Sequence, residues 1–298
     1  MHLTALSAGS EAPRSRFNGV IHSVFEQACN IRVDDGRLLA LLVPCLGNVP
    51  HGARIAAPAG FGFARHLTVG AAVGCRADVV RMAGLSIDLG TAQSWQAELA
   101  AAAVDLRVPQ VARAWRTTWR MLEQRRTHAG DAQVATLSRT VDRRAQRLAH
   151  ATRHLRVHEA TRAIEALIGC GPGLTPSGDD LIVGFLAGLW RTAGDDPALR
   201  TFREALCAAV ATAAGTTGDI SRTYLTHATR GRFAEPLATL AARIGDGAPV
   251  GEIEGLTASA LCVGHSSGRD GVLGLLLGLA AWSAPAVRGQ DLEMPADG

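Results

Sequence analysis

Over residues 17–90 the apolar positions fall in short β-friendly runs: Val20, Val24, Ile31, Val33, then residues 38–43, 53–57 and 73–80, broken by Pro and Gly. Asp35-Gly36, set between two of these runs, is a strong hairpin signal because both residues accept the positive φ of a tight turn. The pattern predicts a small β-rich domain, a barrel or a sandwich. After about Thr91 the period lengthens. Ala112, Trp115, Trp119 and Leu122 recur at i, i+3, i+7 and i+10, while Arg113, Arg116 and Arg120 fall mostly elsewhere, so an apolar stripe faces inward and arginines outward. Further helical segments are expected over 197–214, after the polar stretch from Gly215 to Asp219 (with Ser221, Tyr224 and Thr226 polar among apolar neighbours), over 235–244 and after Asp270, with 245–251 a loop. The fold class is therefore α+β: a β-rich domain over 17–90, a larger mostly α-helical domain over 91–283, and a flexible tail over 284–298, rich in Pro, Gly and acids. The most apolar runs, 181–190 and 272–282, are too short for a bilayer, which needs about 20 residues, and read as core helices.

Composition sharpens this picture. With 47% hydrophobic and 19% charged residues the chain is globular, and scarce aromatics point to helices packed through small residues. There is no lysine, which excludes Schiff-base and P-loop lysine chemistry. The six cysteines contain no C-x-x-C pair, against both a zinc knuckle and a disulfide framework, and read as free thiols of a reducing compartment. Residues 1–16 hold no continuous apolar run, so no signal peptide is expected and a cytoplasmic location follows.

Charge is uneven. Residues 105–162 carry 13 arginines against 5 acidic residues, a net +8 that the rest of the chain offsets to an overall +3. Such a segment suits an acidic partner surface, an anionic ligand or nucleic acid; the lack of a helix-turn-helix or an aromatic stacking platform counts against nucleic acid. His150, His154 and His158 are spaced to line one helix face, where two could share a metal, but Arg153, Arg156 and Arg162 among them would oppose a cation, and a solvated face is expected. His22, His51 and His66 lack metal-ligand spacing.

The densest chemistry lies in Gly169-Cys170-Gly171-Pro172-Gly173-Leu174-Thr175-Pro176-Ser177-Gly178-Asp179-Asp180, which runs into the apolar segment 181–190. Alternating glycines permit positive φ and bring bare N–H groups near a ligand. Ser177 with Asp180 fits the S/T-x-x-D/E capping pattern, and Thr175-Pro176 offers an earlier cap. A loop of this kind at a helix N-terminus can hold an anion.

An offset of 90 residues reveals an echo. Ser177, Gly178, Asp180, Gly184, Leu186, Gly188 and Leu189 match Ser267, Gly268, Asp270, Gly274, Leu276, Gly278 and Leu279. Each copy joins a helix start to a G-x-x-x-G spacing, so the two helices are expected to pack through their glycines, and a parallel pair would converge two positive ends on one pocket. Two ordinary capping boxes on two core helices are the bland alternative. Asp180 and Asp270 are matched and assigned mainly to capping, whereas Asp179 and Arg269 differ between copies and are expected to touch ligand, Asp179 or its neighbour facing the ligand or a Mg²⁺ ion. The expected catalytic group is Asp179, His265 and Arg269; the expected anion-binding group is Gly171, Gly173, Thr175, Ser177, Gly178, Ser266, Ser267 and Gly268. Cys170, beside a helix N-terminus, is a conceivable nucleophile, but no His and acid partner is identifiable and a small apolar filler is the preferred reading.

The 169–180 stretch, Gly19-Val-Ile-His-Ser-Val-Phe25 and Gly264-His-Ser-Ser-Gly268 together resemble the AllH-like family, and the resemblance runs from about Phe17 to Trp282. It implies a subunit of the oxamate carbamoyltransferase of anaerobic allantoin breakdown, part of purine catabolism, working with FdrA-type and AllG-type subunits. That enzyme interconverts oxalurate plus phosphate with oxamate plus carbamoyl phosphate. In that family the position of Cys170 is usually a plain aliphatic; the Arg-rich helices and the histidine row lie outside the recognised pattern. The small anionic substrates suit paired helix ends. A non-catalytic scaffold or regulatory subunit of an FdrA-type complex is the alternative.

Overall fold

The protein is described from a computed structural model for residues 1–96, 98–126 and 132–282, with side chains described outside 126–138; the expected tail over 284–298 lies outside the described residues. The chain divides into two compact units, one of residues 1–98 with 232–236 and one of residues 99–231 with 237 onward.

The first unit is an eight-strand barrel with one added strand. Its strands are β1 (His2–Gly9), β2 (Phe17–Val24), β3 (Ala28–Val33), β4 (Leu38–Leu42), β5 (Gly52–Ile55), β6 (Ala72–Arg76), β7 (Val79–Met82), β8 (Leu85–Asp88) and β9 (Gln93–Trp95). The neighbours run β5-β4-β3-β2-β6-β7-β8-β1, and β1 also pairs with β5, which closes the barrel; β9 extends the far end of β1. Closure removes the free strand edges of an open sheet. Register shifts in β1 between Ala5 and Ser7 and in β2 between Ile21 and Ser23 supply bends of the kind that closing a sheet requires. Ile21, Ile31, Leu39, Leu41, Ile55, Phe63 and Ile87 fill the interior, all essentially without solvent exposure.

The Asp35-Gly36 hairpin forms as expected, with Gly36 at φ 85°. Two features differ from the sequence reading. The barrel starts at β1, ahead of Phe17; before the register shift at Ser7 the alternation turns only Leu3 and Ala5 inward, too short a run to stand out. The single run over 73–80 is two strands, because Ala77 (φ 49°) and Asp78 (φ 60°) both turn left-handed and fold the chain back. That is the dihedral pattern of a two-residue hairpin turn without its usual glycine.

The second unit is helical: α1 (Pro109–Arg126), α2 (Ala132–Arg153), α3 (Val157–Leu167), α4 (Ser177–Thr192), α5 (Pro197–Ala213), α6 (Asp219–Ala228), α7 (Glu235–Gly245), α8 (Val250–Leu261) and α9 (Ser267–Ala281). α4 and α9 are buried on almost every side and pack together most extensively, with α3, α5 and α6 against α4 and α1, α2 and α8 against α9. Helices apolar all round belong at the centre of a bundle. The stripe on α1 faces inward as expected: Trp115 is fully buried, donates its indole N–H to the Leu276 carbonyl at 3.0 Å and stacks on Trp119.

The expected glycine packing is present. A Cβ on Gly184 would lie 1.9 Å from the Gly271 carbonyl oxygen, and one on Gly274 would lie 2.0 Å from the Leu181 oxygen. One turn further, Gly188 meets Gly278 in the same way. Position numbers rise together on the two helices, so α4 and α9 run parallel. The repeat also reaches back into the preceding helices, since Gly178 sits under the Leu167 oxygen at the end of α3 and Gly268 under the Ala260 oxygen near the end of α8.

The row His150, His154, His158 does not share one helix. α2 ends at Arg153, Leu155 turns left-handed at φ 52°, and His158 belongs to α3. His150 and His154 remain neighbours, their rings 4.7 Å apart.

Candidate functional site

Because α4 and α9 are parallel, their first turns lie side by side, and the glycine loop over 169–176 packs at that end. Gly169, Gly171 and Gly173 take φ values of 71°, 131° and 92°. At Gly171 the need is doubled, since a Cβ there would lie 2.7 Å from the Ser177 nitrogen. The N–H groups of Gly171, Gly173, Leu174 and Thr175 have no backbone acceptor among the described residues, and the loop is exposed at Pro172, Gly173 and Leu174. Accessible donors at a helix N-terminus are what an anion needs.

The loop is held from beneath by Asp179. Its carboxylate is buried, Oδ1 accepting the Gly169 N–H at 2.8 Å and Oδ2 the Thr217 hydroxyl at 2.6 Å. Both oxygens are engaged in tying α4 to the loop and to the turn before α6, so Asp179 stands as a clamp inside the fold.

The matched acids do something other than local capping. α4 begins at Ser177 with Pro176 as its cap residue, α9 begins at Ser267 with Ser266 as its cap residue, and neither cap makes a side-chain bond. Instead the serines stand against the acid of the opposite helix: Ser177 interacts with Asp270, and Ser267 with Asp180. Thr175 joins this set, its hydroxyl 2.8 Å from that of Ser267 and also interacting with Asp180. The 90-residue symmetry thus appears as an exchange of hydroxyl partners across the helix pair.

Burial governs the electrostatics here. Asp180 is pushed up to about 8, first by desolvation and then by the nearby Asp270 and Asp179, against the hydrogen bonds from Ser267 and Thr175. Its Oδ2 is buried with no hydrogen-bond partner, the setting of a carboxyl that keeps its proton. Asp270 is fully buried and also raised by burial, opposed by Arg269, whose Nε and Nη2 lie 3.1 and 2.9 Å from Oδ1. Arg269 is therefore engaged with Asp270, its neighbour in sequence. Tyr224 of α6 lies near enough to Asp180 to feel its charge, and burial pushes its hydroxyl up to about 12.

Of the other expected residues, Thr175, Ser177, Ser266 and Ser267 gather at the paired helix starts, and His265 is exposed on the turn just before α9. Gly178 and Gly268 are buried under carbonyls of the preceding helices and serve close packing. Cys170 is half-buried beside Gly178, consistent with a filler. Sequence reasoning passed over Thr217 and Tyr224 as site residues; the polar run from Gly215 to Tyr224 was their only signal. Among the described residues no three His, Cys, Asp or Glu side chains converge as a metal site, and no helix is long and apolar enough to cross a membrane.

Two family models match the chain. Residues 4–94 match the AllH family N-terminal domain, and residues 167–279 match the model described as oxamate carbamoyltransferase subunit AllH. No curated protein and no solved structure matches. The first match covers the barrel and the second runs from the end of α3 through α9, taking in both loops and both helices of the repeat. The chain belongs to the AllH family, that of an oxamate carbamoyltransferase subunit.

Proposed function

We propose that the paired N-termini of α4 and α9 form the anion site of a carbamoyl transfer in which oxalurate and phosphate exchange with oxamate and carbamoyl phosphate. The observation that carries this reading is the unpaired, accessible N–H set at Gly171, Gly173, Leu174 and Thr175, placed where the positive ends of two parallel helices meet. Those donors suit phosphate or the oxyanion that develops on the carbamoyl carbon, with Ser266 and the exposed His265 at the rim.

In the forward direction a phosphate oxygen attacks the carbamoyl carbon, the C–N bond to the oxamate nitrogen breaks, and that nitrogen must gain the proton that phosphate gives up. Asp180 is suited to hold this proton. It stands behind the Thr175 and Ser267 hydroxyls, which can pass a proton between it and the bound anion. Asp180 is then a positioning and proton-storing group, while Thr175 and Ser267 meet the substrate. Partner subunits, of FdrA-type and AllG-type, complete the enzyme in this reading.

The test is to co-express the chain with those subunits and follow carbamoyl phosphate formation from oxalurate and phosphate. Thr175→Val and Ser267→Ala should each lower kcat/KM by about 10²-fold or more, with assembly intact. Full activity in both would sink the site assignment. Phosphate titration of the isolated chain tests the scaffold alternative, which predicts neither heat nor a thermal shift.

A further inference from the structure

α2 and α3 enclose a second concave site, separate from the glycine loop. Between them lies a cleft of about 780 Å³ lined by Arg143, Arg144, Arg147 and His150 of α2 and by Glu159 and Arg162 of α3. That volume falls within the roughly 300–1,000 Å³ of small-molecule sites. Ala163 and Ala166 supply short side chains that leave room between the helices.

The charges in this cleft are not balanced from within. Arg144 is occupied, its Nη1 donating to the Ala166 carbonyl near the end of α3. Glu159, the sole acid in the lining, is held by Arg156 at 3.3 Å. Arg143, Arg147 and Arg162 have no ion-pair partner among the described residues, and all three are exposed. Arg143 and Arg147 are four apart on one helix face, where like charges repel, and Arg162 approaches from the facing helix. Guanidinium groups converging on one concavity suit an anion with several oxygens spread along its length, because each can bind two oxygens in a fork. A chain of phosphates carries oxygens enough to engage all three in this way.

We infer that the α2–α3 cleft binds a polyphosphate chain, either of inorganic polyphosphate or of a nucleoside triphosphate, at Arg143, Arg147 and Arg162. A concave cleft between two helices favours a chain-like ligand over a broad acidic protein surface, which would need the arginines on a flat or convex face.

Calorimetry on the full chain tests it, with inorganic tripolyphosphate, ATP and orthophosphate as titrants. Tripolyphosphate should bind about tenfold or more tighter than orthophosphate, and weaken as salt is raised. Arg147→Gln with Arg162→Gln should reduce its affinity by about tenfold or more with the thermal midpoint unchanged; Arg144 is left intact because it holds α3. Thr175→Ala, which touches only the glycine-loop site, should leave tripolyphosphate binding as it is, so failure of one site does not entail failure of the other. ATP binding tighter than tripolyphosphate identifies the nucleotide as source, and equal binding identifies the phosphate chain alone. No heat with tripolyphosphate, unchanged affinity in the double variant, or loss in Thr175→Ala would overturn the assignment.

Discussion

The hydroxyls of Thr175 and Ser267 lie 2.8 Å apart although 92 residues separate them, and both stand beside the half-buried Asp180. This contact joins the glycine loop of one repeat to the helix start of the other. It exists only because α4 and α9 run parallel at backbone contact distance.

That distance is the first thing to test. Gly184→Ala and Gly274→Ala each force a methyl against a carbonyl oxygen at about 2 Å, inside the van der Waals limit and with no flexible side chain to yield. Overpacking of this kind costs about 1–3 kcal/mol or more, so urea midpoints should fall sharply. Gly255→Ala in α8, with open space around it, should instead stabilise by about 0.5–1 kcal/mol, the helix-propensity gain over glycine. Equal midpoints for Gly184→Ala and Gly255→Ala would contradict the packing.

Asp179 should prove structural. Replacing it by Ala leaves the Gly169 N–H and the Thr217 hydroxyl without their acceptor, and a buried hydrogen-bonded charge of this type contributes about 1.5–3 kcal/mol per bond. Amide exchange at Gly169 should accelerate as the loop loosens. Unaltered stability and exchange would show that the clamp does not operate.

Stability should fall as pH rises from about 4 toward 8. Asp180 has a folded pKa of about 8, above the ordinary carboxylate range of the unfolded chain. Between those two values the native state binds the extra proton, so the stability is fully present below pH 4 or so and is lost as pH rises toward 8. Asp270 is raised as well and adds to the same trend. Asp180→Asn should flatten the decline of urea stability between about pH 5 and pH 8 without reversing it. A decline as steep as that of the unsubstituted protein would refute the buried proton.

Gly171 and Gly173 should separate strain from site filling. Both have positive φ, but a Cβ at Gly173 meets nothing within 4 Å, whereas one at Gly171 presses on the Ser177 nitrogen. Gly173→Ala should cost only about 1 kcal/mol of backbone strain and keep phosphate binding. Gly171→Ala should abolish phosphate binding measured by calorimetry. Retained binding in Gly171→Ala would move the anion elsewhere.

Much of the architecture was legible in the chain itself. The Asp35-Gly36 hairpin, the stripe through Trp115 and the two G-x-x-x-G helices are local patterns, written in residues a few positions apart, and local backbone preference enforces them. The 90-residue echo named both members of the central pair. Where local pattern was diluted it failed: α8 went unassigned because Gly251 and Gly255 interrupt its period, and the 73–80 run hid a turn made by Ala77 and Asp78.

The site was harder for a different reason. Ser177 and Asp180 have the spacing of a capping box, and nothing within one turn of helix reveals that each faces the opposite helix instead. Asp179 and Asp180 are adjacent and chemically identical; one becomes a clamp because Gly169 and Thr217 meet its oxygens, and the other keeps a proton because packing desolvates it beside Asp270. Helix starts, glycine contacts and the candidate loop follow from short-range sequence. The parallel direction of α4 and α9, the exchange of serines between them and the raised Asp180 arise from burial between segments about 90 residues apart, because desolvation and long-range hydrogen bonding exist only after the chain has packed.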